Sequence, residues 1–195
     1  MTSPGTRPAS ASRLTLSKIM TVVDTNLLGT VHGGVVMKFA DDVAGAVAAR
    51  HCGGAAVTVA LDEMLFLTPV RVGDLVHGSA QVNWTGHSSM EVGVRVVAER
   101  WDEAGVPAVR VATAYLVFVA VDASGHPRPV PQLELDSDED RRRFREAEIR
   151  RRHRLARREE IRLSRGSAPA DAPTPADGPP PAAGPTPAAG PTLSR

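Results

Sequence analysis

Two adjacent glycines, Gly33 and Gly34, open a nearly all-apolar stretch that carries two acids, Asp41 and Asp42. The chemistry this set supports is attack on a carbonyl group. The first amides of a helix have no partner inside it, and the aligned peptide dipoles place partial positive charge there. The Gly33 and Gly34 N–H groups can therefore hold an oxyanion or a carbonyl oxygen. Asp41 and Asp42 follow a turn or two later and supply carboxylates near that spot. Spacing alone reads Asp41 as a solvated acid on a polar stripe shared with Lys38, Asp42 and Gly45. Asp42 stands about 100° round the helix from Asp41, so the two carboxylates address different surroundings.

The element that positions these groups is a helix over residues 35–50, whose remaining surface is Val, Met, Phe and Ala. Gly53-Gly54 closes it, since glycine accepts the left-handed conformation that ends a helix. Before it, residues 13–23 suit a short strand leading into a loop at 24–32 that contains Asn26, by default a loop residue bonded to its own backbone. After it the hydrophobic period becomes two. Strands are expected over 55–67, 75–84, 89–100 and 109–121, with turns at Val72-Gly73-Asp74, at 85–88, at 102–105 and at 122–125. Val76, Ala80, Val82 and Trp84 share one face of the second of these. In the third, Met90 to Ala98 alternate against Glu91, Arg95 and Glu99, which reads as a half-exposed strand. The fourth is apolar on both faces and belongs at a central position or a subunit contact. One helix against one curled antiparallel sheet of about five strands is an α+β layout.

Composition sets the limits of this domain. A hydrophobic fraction of 42% in 195 residues is enough for one sizeable core. Residues 166–195 hold mainly Ala, Pro, Gly, Ser and Thr and are expected to be disordered, as are residues 1–12. The globular domain is expected at 13–135. The net charge of +1 hides an asymmetry, because residues 141–165 contain twelve of the 23 Lys and Arg. Ser137, with an acid three residues on, starts a polar Arg-rich helix over 136–165 with a thin apolar stripe. Such helices are usually solvated or packed on a neighbouring subunit. A single cysteine, Cys52, excludes an internal disulfide and reads as a small buried residue of a cytoplasmic protein. No apolar stretch reaches the roughly 20 residues of a membrane helix.

Other reaction classes find no support. There is no G-x-S-x-G elbow for a Ser-His-Asp hydrolase, no His and Cys spacing for zinc, and no Gly-rich phosphate loop after a strand.

An ordered series of residues resembles a known family. Asn26, Gly29, His32-Gly33-Gly34, Met37-Lys38, Asp41 and Ala48 to Cys52 are similar to the hotdog-fold acyl-CoA thioesterases of the brain acyl-CoA hydrolase type. So are Val57-Thr58-Val59, Phe66 with Pro69, Val72-Gly73-Asp74, Gly86 to Val92, Phe118 to Asp122 and Pro129-Val130-Pro131. The likeness spans about residues 13–160. It implies a sheet wrapped round a central helix, paired into a homodimer whose two sheets run into one, and assembly to a hexamer. It further implies hydrolysis of a fatty acyl-CoA to free CoA and a fatty acid, with no metal or other cofactor.

By the same resemblance Asp41 is the catalytic carboxylate, acting on water or directly on the thioester carbonyl. Asn26 of the facing protomer orients water or substrate, and Gly33 and Gly34 contact the oxyanion. Ser88 and Ser89, with Arg50 and His51, fall where such enzymes approach the CoA phosphates or pantetheine. From the residues themselves Ser88 and Ser89 also read as hairpin positions, and His51 and Arg50 as partners of the helix C-terminal dipole. His32 is not required, because the family often has an apolar or aromatic residue there.

Two other functions compete. An enoyl-CoA hydratase of this fold pairs an Asp with a nearby His, yet Asp41 and His51 lie ten positions apart on different faces. A non-enzymatic acyl-CoA sensor or nucleic-acid partner would use the Arg-rich helix, but Glu146, Glu148, Glu159 and Glu160 interrupt its arginines. Neither nucleic acid nor a membrane is expected as a partner.

Overall fold

A computed structural model describes residues 5–103 and 105–165. In chain order the elements are β1 (Thr6–Pro8), α1 (Ala9–Ser12), β2 (Leu14–Ile19), a 3₁₀ turn (Val22–Asp24), α2 (Gly33–Cys52), β3 (Ala56–Phe66), β4 (Leu75–Thr85), β5 (Ser89–Glu99), β6 (Val109–Ala120), β7 (Gln132–Glu134) and α3 (Asp138–Ser164). Five strands form one antiparallel sheet in the order β2-β4-β5-β6-β3, and β1 pairs with β7 in a separate parallel ribbon. The expected sheet wrapped round one helix is borne out.

The helix α2 is long because its interior holds neither proline nor an uncompensated polar run. It ends where Gly53 adopts φ 67° and its N–H returns to the Ala49 carbonyl. Val36, Phe39, Ala40, Val43, Ala44, Val47 and Ala48 face the concave side of the sheet. There they meet Val76, Val82, Met90, Val92, Val94, Val96, Ala112, Ala114 and Phe118, the inward positions of β4, β5 and β6. Gly78 sets how closely helix and sheet approach. A Cβ there would stand 2.9 Å from Val43 and 3.0 Å from Phe39, so only a hydrogen lets α2 settle on β4. Cys52 lies buried at the helix end.

Several expectations are corrected. Residues 6–12 are ordered: β1 pairs with β7 in register Thr6–Gln132 to Pro8–Glu134, and Ala9 and Ser12 are fully buried. Backbone pairing and two buried side chains supply the ordering energy that composition alone does not show. The tail at 166–195 lies outside the described residues. Trp84 does not share the face of Val76 and Val82. A register shift between Val82 and Trp84 inserts Asn83 as a bulge and turns the indole to the outer face.

The outer face is not solvated as the alternation of β5 implies, because α3 crosses it. Ser137 caps α3 by accepting from the Asp140 N–H, as its sequence position predicts. Glu91 is 2% exposed and takes three hydrogen bonds from the Arg150 guanidinium, the shortest 2.7 Å. The same guanidinium stacks 3.6 Å from the centroid of Tyr115. Asp140 joins Arg13 and Gln81, and Arg154 reaches Asp62. The first half of α3 is therefore clamped to its own sheet by ion pairs in place of an apolar stripe. Beyond Arg154 it is exposed throughout.

Candidate active site

Asp41 leaves the middle of α2 toward the edge strand β3. There the Thr58 hydroxyl donates to its Oδ1 at 2.7 Å. The carboxylate is half-buried, and Oδ2 meets no protein donor among the described residues. One oxygen is thus held in place while the other stays available to accept a proton. Asp42 behaves differently. It is exposed and takes a 2.7 Å bond from Lys38 one turn earlier, and that carboxylate holds the Lys38 ammonium above its ordinary pKa. The 100° step between the two acids sends one to a strand and the other to water.

At the helix mouth His32 is the N-cap. Its backbone N–H is bonded to the Asp24 carbonyl at 2.8 Å, and its own carbonyl accepts the Val35 N–H at 2.9 Å. Its Nδ1 accepts the Gly34 N–H at 2.9 Å. The Gly33 N–H finds no acceptor among the described residues. Gly33 also lies against Phe66, where a Cβ would stand 3.5 Å from the ring. Beside it opens a cleft of about 290 Å³ lined mainly by apolar groups, among them Val36, Phe66, Pro69 and Val111. A free N–H donor on the wall of an apolar cleft suits the carbonyl of an acyl group.

The Asn26 loop is self-bonded. Its Oδ1 accepts from the N–H groups of Leu28 and Thr30 at 2.8 and 3.3 Å, and its amide donates to the Thr30 hydroxyl. Leu27 and Leu28 at its tip are fully exposed. Next to it Asp24 is buried beneath Thr21 and Lys18. The Thr21 N–H and the Lys18 ammonium keep its carboxyl below the ordinary value, against the effect of burial.

The remaining expected residues gather at the other end of α2. The β4–β5 hairpin carries Ser88 and Ser89, both half-buried, and its His87 carbonyl accepts from Val130. Next along, the Pro131 carbonyl is bonded to His51. Arg50 is exposed and donates to the Arg13 carbonyl at 2.8 Å. His51 is fully buried, its Nε2 3.0 Å from the Pro131 oxygen, and burial pushes its pKa below the ordinary imidazole value. It belongs to the core rather than to a surface that a phosphate reaches. Nor does it pair with Asp41, which is bonded to Thr58, so these two residues of one chain do not form the carboxylate–imidazole pair of a hydratase.

Along α2 the rise separates Gly33 from Asp41 by about 12 Å, and Gly33 from Arg50 by about 25 Å. The sequence groups Gly33, Gly34 and Asp41 as neighbours; one chain sets them two turns apart. Thr58 is the residue that reading the sequence left without a role. Its only signal is its place in the Val57-Thr58-Val59 run, because which strand residue meets the helix acid depends on the β3 register. Among the described residues no helix is long and apolar enough to cross a membrane, and no cluster of three His, Cys, Asp or Glu is placed to hold a metal ion.

Comparison with known proteins gives a consistent result. Residues 28–104 match the model of the thioesterase superfamily. The acyl-CoA thioester hydrolase YkhA of Bacillus subtilis is 38% identical over 127 residues, covering 65% of this chain and 73% of that protein. The acyl-CoA hydrolase of Staphylococcus aureus, solved with butyryl coenzyme A, coenzyme A and coenzyme A disulfide, superposes with a TM-score of 0.74. It is 32% identical over 82% of this chain and 96% of its own. Structures of that enzyme also exist with an asparagine, an aspartate or a threonine replaced by alanine, the asparagine variant in complex with coenzyme A. The asparagine precedes the aspartate by fifteen residues and the threonine follows it by seventeen, which are the spacings of Asn26, Asp41 and Thr58. A hexameric acyl-CoA thioesterase superposes with a TM-score of 0.74 at 35% identity, covering 78% of this chain and 97% of that one. With this fold, these spacings and these identities, the chain belongs to the thioesterase superfamily, among its acyl-CoA thioester hydrolases.

Proposed function

We infer that the protein hydrolyses acyl-CoA thioesters to free CoA and the carboxylic acid, and that Asp41 is its catalytic carboxylate. The observation that carries this reading is the Thr58–Asp41 bond, which fixes one carboxylate oxygen and leaves the other open. A water molecule attacks the thioester carbonyl carbon while Asp41 accepts its proton. The carbonyl oxygen becomes an oxyanion held by the Gly33 amide, with the Gly34 amide as second donor. The tetrahedral intermediate then expels the CoA thiolate, which takes the proton back from Asp41. A positioned base contributes about 100- to 10,000-fold and an oxyanion donor about 100- to 1,000-fold, so the two account for much of the acceleration an activated acyl donor requires.

About 12 Å of helix between Gly33 and Asp41 is more than one thioester bridges. The complete site therefore takes Asp41 and Thr58 from one protomer and the helix mouth, with Asn26, from its partner. The unpaired edge of β3 supports this arrangement. Val59, Leu61, Leu65 and Phe66 are exposed along it, and so are Leu27 and Leu28 in the Asn26 loop. A homodimer joined along β3, further assembled to a hexamer, covers these surfaces. Arg50, Ser88 and Ser89 are assigned to the CoA end of the substrate. The reading places the enzyme in the cytoplasm, where its lone Cys52 stays reduced.

The test is the release of free thiol from acyl-CoAs of graded chain length by the wild type and by Asp41→Asn. Equal turnover by the two proteins removes Asp41 from the mechanism.

A further inference from the structure

The oxyanion donors of this chain are not equally free. Gly33 presents an open N–H, whereas the Gly34 N–H is already given to the imidazole of its own N-cap residue at 2.9 Å. A Cβ on Gly34 would stand 3.0 Å from Nδ1 and 3.2 Å from Cε1 of that ring, so the imidazole lies directly over the amide. The backbone of His32 is pinned by Asp24 and Val35, but its side chain is exposed and makes no other hydrogen bond among the described residues. Among the described residues the Gly34 amide is the only hydrogen-bond partner of the ring.

We propose that His32 is a removable cap on the Gly34 amide, occupying one oxyanion donor while neutral and releasing it when protonated, and so sets how hydrolysis depends on pH. The proposal rests on the reading that the helix-mouth amides receive the thioester oxygen.

The chemistry follows from the geometry. To accept the Gly34 N–H, Nδ1 must carry a lone pair, which puts the proton of the neutral ring on Nε2. Protonation places a hydrogen on Nδ1 as well, and two donors then face each other. The imidazolium is also a cation at the positive end of the α2 dipole, which drives it away from the helix mouth. Either effect opens the amide to substrate.

The charged groups around the ring are paired with one another. His32 and Gly34 line a cleft of about 480 Å³ with Lys18, Asp24, Lys38 and Asp42. Lys18 of β2 is paired with Asp24 of the 3₁₀ turn at 2.9 Å, and Lys38 with Asp42 of α2 at 2.7 Å. The cleft thus holds two ion pairs. Asp41 leaves α2 on a different face, toward Thr58, and is not part of this cleft.

The experiment compares wild type, His32→Val and His32→Asn, hydrolysing butyryl-CoA from pH 5.5 to 8.5, with kcat and KM read separately from thiol release. Valine cannot accept a hydrogen bond, so at pH 8 its kcat is expected about two- to tenfold above wild type, the equivalent of one net hydrogen bond. Toward the acid end of the range the ratio falls toward one, with little change in KM. Asparagine is a good N-cap whose acceptor does not titrate. His32→Asn is therefore expected to stay as slow as neutral wild type at every pH, with a constant ratio to His32→Val. A thermal melt of each variant confirms folding, and the Asn variant retains the cap if valine unfolds the helix mouth. A wild-type to variant ratio that is flat with pH while hydrolysis continues overturns the cap alone. Absence of any hydrolysis by the wild type removes the function on which it rests.

Discussion

The Thr58 hydroxyl lies 2.7 Å from Asp41 Oδ1, and this bond ties the central helix to the edge strand of the sheet. It selects one of two adjacent acids. Asp41 is held beside an unpaired strand edge, and Asp42 is left in solvent with Lys38.

If that bond orients the base, its loss lowers kcat more than it raises KM. Thr58→Ala is expected to reduce kcat about ten- to a hundredfold, the range for a hydrogen bond to a charged group. Thr58→Ser keeps the hydroxyl and recovers most of it. Asp41→Asn is expected to cost about 100- to 10,000-fold. A Thr58→Ala enzyme with wild-type kcat would show that Asp41 needs no such partner.

Asp42 provides the contrast. Asp42→Asn breaks only an exposed pair with Lys38 and is expected to keep kcat/KM within about twofold of wild type. A loss comparable to that of Asp41→Asn would exchange the roles of the two acids.

A site shared between protomers predicts complementation. Asp41→Asn and Asn26→Ala proteins should each be nearly inactive, but mixed dimers contain one site free of both changes. With random pairing, co-expression is expected to restore about a quarter of wild-type activity. Recovery of none would place Asn26 and Asp41 in the same protomer's site, whereas wild-type turnover by Asn26→Ala alone would remove Asn26 from it and leave the loop bonds as its whole role.

The clamp of α3 is open to a stability measurement. Arg150→Ala leaves Glu91 buried without its partner and is expected to cost about 3–5 kcal/mol in urea unfolding. Arg150→Met combined with Glu91→Leu should recover most of that loss, because a buried ion pair is often matched by apolar packing. Arg152→Ala, on the exposed face, serves as a control near zero.

His51 makes stability depend on pH. Burial lowers its pKa in the folded state below that in the unfolded chain, so between the two values the unfolded state binds more protons. Its contribution is fully present above the unfolded value of about 6.5 and is lost as pH falls toward the depressed folded value. Wild type is therefore expected to lose more stability between pH 7.5 and 5.5 than His51→Gln does. Equal losses would show that the ring protonates as easily folded as unfolded.

Much of this protein is determined by the order of its residues alone. The apolar run behind Gly33-Gly34 forces a buried helix, Gly53 ends it, and the period of two from Ala56 onward forces strands, because these depend on local propensity and on which face is apolar. The series from Asn26 through Asp41 to Pro131 also points to the chemistry. Tertiary structure decided the rest. A bulge at Asn83 turned Trp84 outward, the helix α3 covered Glu91, and pairing with β7 ordered residues that composition alone reads as disordered. His51 went to the core while its neighbour Arg50 stayed outside, a difference of 100° that spacing does not convert into an environment. That Asp41 meets the sheet through Thr58 while Asp42 pairs with Lys38 rests on where β3 lies against α2. That register is set by contacts between segments distant in sequence, which no local pattern encodes.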